Sequence, residues 1–173
     1  GKDSPLVTYT PSDKETLELG EDLTITALHT PCHTQDSICY FVQDKKTNEK
    51  AVFTGDTLFI SGCGRFFEGT GKEMNYSLNQ VLAKLPKETK VYPGHEYTKS
   101  NVKFSQTVLS NEAIKELAEY CKSHEHTTGK FTIGDELQFN PFMKLTDPQV
   151  INSTGLTLPD EIMDKLRTMK NNM

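Results

Sequence analysis

No run of apolar residues in the sequence approaches the roughly 20 that a membrane-spanning helix requires, and no signal-peptide pattern opens it. Cysteine is sparse: Cys32, Cys39, Cys63 and Cys121 form no Cys-x-x-Cys pair. That spacing excludes a dense disulfide framework and suits a reducing compartment. An excess of positive charge is also missing. Lys and Arg number 19 against 24 Asp and Glu, for a net charge of −5. Nucleic acid is therefore not expected as the main partner, because binding phosphates takes a basic face. The stretch from Lys165 onward is locally basic. Internal repeats and low-complexity segments are absent too. The chain opens Gly-Lys-Asp-Ser-Pro instead of with Met, which reads as a cut in a loop of something longer.

What is present fits one soluble domain, or a small domain with an appendage: 173 residues, 35% hydrophobic and 25% charged. The texture changes near Pro93. Before it, β-branched and aromatic residues predict strands over 17–19, 23–28, 38–42, 51–54 and 91–92. The polar stretch 44–50, with Thr47-Asn48, predicts a hairpin between the third and fourth of these. Met74, Leu78, Val81, Leu82 and Leu85 fall at helical spacing, with Pro86 ending that helix. After His95 the pattern is helical. Ile114, Leu117, Ala118 and Cys121 mark one helix, with Ser110 placed to cap it. Pro159 is placed to begin a last helix, whose apolar stripe is Ile162, Met163, Leu166 and Met169. Between them, Phe131, Phe139, Pro141 and Phe142 lie in a stretch read as less regular.

Three segments put a metal-ligating side chain at the end of an apolar strand. They are Thr30-Pro31-Cys32-His33-Thr34, Thr54-Gly55-Asp56-Thr57 and Tyr92-Pro93-Gly94-His95-Glu96-Tyr97. Strand ends are where a rigid sheet can aim ligands at one point. Imidazoles with a carboxylate suit Zn, Fe or Mn, and an Asp can bridge two ions. Singly each is ordinary, since a loop His is usually a surface group and Gly-Asp is usually a turn. The ordered set carries the signal.

That set resembles glyoxalase II, a branch of the metallo-β-lactamase superfamily. Phe53-Thr54-Gly55-Asp56-Thr57-Leu58-Phe59, Gly62-Cys63-Gly64-Arg65-Phe66-Phe67-Glu68-Gly69 and Asn140-Pro141-Phe142-Met143 carry the likeness, as does the closing stretch around Arg167 and Lys170. It extends over nearly the whole chain. The resemblance implies an α+β fold: the second half of an αββα sandwich over 1–97, then a small helical glutathione-binding domain over 98–173. It implies that His33 and His95 are terminal ligands of two divalent ions, most often zinc, and that Asp56 bridges them and is the catalytic centre. The family's other ligands lie in a His-x-His-x-Asp-His segment nearer the N-terminus, which this sequence does not contain. The fragment alone is accordingly expected to be inactive and metal-poor, and to deal with its cut surface by self-association, swapping or partial disorder.

For the substrate, the resemblance implies contacts from Arg65, Phe67, Tyr97, Arg167 and Lys170. Phe67 stands where many relatives have Tyr, so one hydroxyl contact would be lost. Arg167 and Lys170, three apart, share a helix face and would converge on a glutathione carboxylate. Without the resemblance, they would read as a basic helix end that favours the dipole. Two other patterns are set aside. His124-Glu125-His126 is not followed by Asp-His, and Gly62-Cys63-Gly64-Arg65 lacks the ending of a phosphate loop. His29 matches no ligand position. The expected activity is hydrolysis of an S-2-hydroxyacylglutathione thioester such as S-D-lactoylglutathione. The rival readings are a persulfide dioxygenase-like relative and a non-catalytic fragment that binds glutathione derivatives. The cytoplasm is the expected compartment, with a mitochondrial one left open.

Overall fold

The computed structural model describes residues 6–173. Among the described residues seven strands form: β1 Thr16–Leu19, β2 Leu23–His29, β3 Ile38–Asp44, β4 Lys50–Gly55, β5 Leu58–Phe59, β6 Gly62–Cys63 and β7 Lys90–Pro93. Five make one sheet in the order β1-β2-β3-β4-β7, while β5 and β6 pair as a separate short hairpin. The expected hairpin between β3 and β4 is present. Asp44 Oδ1 accepts from Lys46 and Thr47 N–H at 2.7 and 3.0 Å, which tightens its turn.

Strand alternation sorts the side chains. Leu28, Cys39, Phe41, Val52 and Val91 point to the helices and are buried. Tyr40, Phe53 and Tyr92 are cross-strand neighbours on the other face. There Tyr40 is 36% and Phe53 46% exposed, and Phe53 stacks on Tyr92 at 5.1 Å.

The helices are α1 Gly71–Asn75, α2 Thr98–Val108, α3 Glu112–Ser123, α4 Ile133–Phe139, α5 Pro148–Thr154 and α6 Pro159–Asn171. None among the described residues is long and apolar enough to cross a membrane. The single helix expected around 74–85 is instead composite. After α1 comes a π-helical turn, Tyr76–Val81, and then a 3-10 turn, Leu82–Lys84. Apolar residues spaced by four drift around an ideal helix of 3.6 residues per turn. The wider turn offsets that drift, and Met74, Leu78 and Leu82 all stay fully buried.

Ser110 does not cap α3. The helix starts one residue later, and the Asn111 side chain accepts from Ile114 N–H. Ser110 is held by the Gln149 side chain. Pro159 does open α6. The stretch read as irregular holds two seven-residue helices, α4 and α5, too short to show a period. A capping box starts α4, formed by Thr132 and Asp135.

One apolar cluster runs from Phe41, Val52 and Val91 under the sheet to Phe104, Ile114, Phe142 and Ile162 among the helices. Fully burying a side chain of this size contributes about 1.5–3 kcal/mol. Backbone bonds from Val91 N–H to Phe131 O, from Gly129 N–H to Val91 O and from Ile133 N–H to Thr89 O cover the free edge of β7.

Candidate active site

β2 and β4 each run antiparallel to β3, and β4 runs parallel to β7. β2, β4 and β7 therefore point the same way, and their C-terminal ends share one edge of the sheet. His33, Asp56 and His95 all lie in the loops leaving those ends.

The three side chains meet. His33 Nε2 lies 3.4 Å from Asp56 Oδ2, and His95 Nε2 lies 3.5 Å from Asp56 Oδ1. Each carboxylate oxygen thus faces one imidazole. Among the described residues no three His, Cys, Asp or Glu side chains close on a single ion. The trio is instead two pairs sharing one carboxylate, an arrangement of donors that fits two ions bridged by Asp56.

Neighbouring groups fix these donors. His33 Nδ1 lies 2.9 Å from the Arg65 carbonyl. A carbonyl can only accept, so Nδ1 carries the hydrogen and Nε2, the nitrogen that faces Asp56, is the one left to ligate. Cys32, just before it, is fully buried at φ +151, a region few non-glycine residues enter. His95 stacks on Tyr97 at 5.0 Å and meets Phe59 edge-on. Two glycines permit the approach. A Cβ on Gly64 would stand 1.9 Å from the Asp56 carbonyl oxygen, and one on Gly94 2.7 Å from Asp56 Oδ1.

Glu96, between His95 and Tyr97, ties this edge to the helical part. It accepts from the Thr127 and Thr128 backbone N–H groups at 2.9 and 3.2 Å, and from the Thr98 and Thr127 hydroxyls. Burial opposes its ionisation, yet the bonds from Thr127, Thr98 and Thr128 prevail and hold it down to about 2.

A cavity of about 420 Å³ opens beside the trio. His33, Asp56, Arg65, Phe67, Tyr97, Arg167 and Lys170 all line it, so every residue singled out from the sequence does except His95. The Phe67 ring lies 5.0 Å from that of His33. Arg65, Arg167 and Lys170 have no carboxylate within 4.0 Å among the described residues. Burial, with Arg167 beside it, pushes Lys170 down to about 8.

Arg167 has a second task. It is 7% exposed, its Nη1 donates to the Cys63 carbonyl at 2.9 Å, and its Nε is buried without a partner. Cys63 is no nucleophile, because burial pushes its thiol up to about 11 despite the nearby Arg167.

His29 lies on β2 with its ring against the Gln35 carbonyl at 2.9 Å, and the His124 ring stacks on Tyr120. Sequence reasoning missed Phe59, Ser100 and Asn101 in the cavity wall. It missed Glu96 too, whose only signal was its place between two singled-out residues.

Comparison with known proteins identifies the family. Residues 1–95 match the metallo-beta-lactamase superfamily, and residues 96–173 match the hydroxyacylglutathione hydrolase C-terminus. The probable hydroxyacylglutathione hydrolase glo2 of Schizosaccharomyces pombe is 59% identical, covering 99% of this chain and 66% of that protein. The cytoplasmic isozyme of hydroxyacylglutathione hydrolase from Saccharomyces cerevisiae is 51% identical, covering 99% of this chain and 67% of its own. The chain belongs to the hydroxyacylglutathione hydrolase family. Among solved structures, ETHE1 from Myxococcus xanthus superposes with a TM-score of 0.56 at 26% identity, over 96% of this chain and 61% of that one. The chain spans about two thirds of the length of the curated hydroxyacylglutathione hydrolases it matches. Its sheet and helices accordingly belong to the αββα fold that the motifs pointed to.

Proposed function

We propose that the protein containing this chain hydrolyses S-2-hydroxyacylglutathione thioesters, S-D-lactoylglutathione among them, to a 2-hydroxy acid and glutathione. One observation carries the reading. A single carboxylate, Asp56, faces an imidazole Nε2 on each of its oxygens, and lines the same cavity as three cations that have no acidic partner among the described residues. The donors divide the work with residues 98–173, which would supply two of the three cations that grip glutathione.

His33 and His95 would each hold one divalent ion, with Asp56 between them. Zinc suits these donors best, and iron or manganese would also fit. Ions bound there would supply Lewis acidity and bring the pKa of water from about 15.7 to about 7. The chain's own groups do the rest. The Arg65 carbonyl leaves His33 Nε2 as the nitrogen to ligate, and the glycines keep the loops close. Arg65, Arg167 and Lys170 attract the glutathione carboxylates, which orients the thioester toward Asp56. Water adds to the thioester carbonyl, the carbon–sulfur bond breaks, and glutathione leaves as the thiolate. Cytoplasmic residence is part of the same proposal, supported by the compartment named for one Saccharomyces cerevisiae isozyme, while a second matching isozyme is named mitochondrial.

The test is thiol release from S-D-lactoylglutathione by the full-length protein, with and without added zinc. Thiol release that depends on metal is expected; a zinc-loaded protein that releases none would sink the reading. The outer sheet face around Tyr40, Phe53 and Tyr92 would drive self-association of the isolated chain. Analytical ultracentrifugation should show concentration-dependent association that Phe53→Lys weakens, whereas a monomer throughout would refute it.

A further inference from the structure

The turn joining β5 to β6 has an unusual set of partners. Four successive backbone carbonyls, from residues 60 to 63, each accept a hydrogen bond from a side chain of the helical part. Asn101 Nδ2 donates to Ile60 O at 3.0 Å and Ser105 Oγ to Ser61 O at 3.1 Å. Asn140 Nδ2 donates to Gly62 O at 3.1 Å, and Arg167 Nη1 to Cys63 O at 2.9 Å. Ser61 itself sits at φ +59, which a residue with a Cβ holds only when its surroundings impose it.

One side chain closes this set. Glu136, fully buried on α4, accepts from Ser61 N–H at 3.0 Å and from Asn140 Nδ2 at 2.8 Å. The second bond fixes which way the Asn140 amide points, and so which of its atoms meets Gly62 O. Burial pushes this carboxyl up to about 8. A buried carboxyl that has no Lys or Arg within 4.0 Å among the described residues is a poor stabiliser of a core, and its hydrogen bonds go to this turn and to Asn140.

We infer that Glu136, remote from the reacting atoms, is a positioning residue. With Asn140 and Ser105 it clamps the turn and so sets the course of residues 62–65 along the cavity wall. That course carries the Arg65 cation into the cavity and brings the Arg65 carbonyl to His33. The helical part therefore shapes the site through backbone it never exposes, in addition to the cations it presents. The inference rests on the glutathione-thioester reading of the cavity.

S-hexylglutathione, which cannot be hydrolysed at a thioester, is the probe, titrated calorimetrically into this chain without added metal. Glu136→Leu removes the acceptor, and a loss of affinity of about tenfold or more is expected, with the Gly62 and Gly64 amide resonances displaced. Glu136→Gln keeps one acceptor oxygen and should restore affinity to within about threefold. Equal affinity in Glu136→Leu and the unsubstituted chain would overturn the clamp. Absence of binding by the unsubstituted chain would overturn the ligand reading beneath it instead. Should Glu136→Leu lose its circular-dichroism signature of folding, Ser105→Ala decides. A drop of about threefold supports the clamp, and no change refutes it.

Discussion

Two corners of the candidate site are built in opposite ways. The corner of His33, Asp56 and His95 stands on strand ends, with side chains 18%, 30% and 51% exposed. The opposite corner, around Cys63 and Arg167, is buried and held by side chains from α2, α4 and α6. The first has donors still to be completed. The second is satisfied within the chain save for cations that face the cavity. Chemistry and grip are thus separable, and substitutions should separate them.

The largest separation should appear in the chain on its own. Three donors shared between two positions close neither, so zinc should not survive dialysis and thioester turnover should fall at least a thousandfold below that of the full-length protein. S-hexylglutathione should still bind. Two retained zinc ions per chain, measured by atomic absorption, would erase the distinction between the corners.

Next in size is Arg167→Ala in the full-length protein. A charge-assisted hydrogen bond contributes roughly 1.5–3 kcal/mol, so KM should rise about tenfold to a hundredfold. A carboxylate remote from the reacting carbon is held equally in ground and transition states, so kcat should change little. The effect should weaken as salt is raised. Because Arg167 also holds the Cys63 carbonyl, Tm should fall as well. A drop in kcat at unchanged KM would show that the grip corner takes part in the chemistry.

Smaller is the pH dependence set by Lys170. Its cation is lost as pH rises through about 8, so affinity for S-hexylglutathione should decline above that pH and be flat below about 7. Stability should move the other way. The unfolded lysine keeps its proton up to about 10.5 while the folded one has released it, so between those values stability rises with pH. Lys170→Met should flatten both profiles in calorimetric titration and thermal melts. Profiles unchanged by that substitution would assign the titration elsewhere.

The two corners also differed in how far the sequence revealed them. His33, Asp56 and His95 follow apolar strands in short motifs, and strand direction alone brings them to one edge. The hairpin at 44–50 and the start of α6 at Pro159 were equally local signals. Glu136, Asn101 and Ser105 carry no such mark. Each is a common helix residue whose task is set by a turn roughly 40 to 75 positions away. Arg167 could be picked out by its motif, but its bond to Cys63 could not. The helices α4 and α5 were missed because two turns show no period, and the π turn after α1 because tertiary burial, not propensity, selects it.

Asp56 is the point on which the chemical reading turns. The decisive measurement is steady-state hydrolysis of S-D-lactoylglutathione by full-length wild type and Asp56→Ala, with zinc determined on the same samples. Two ions should be present in the wild type and lost from the variant, and turnover should vanish with them. An Asp56→Ala protein that keeps its zinc and most of its kcat would contradict the bridging role and the hydrolytic mechanism built on it.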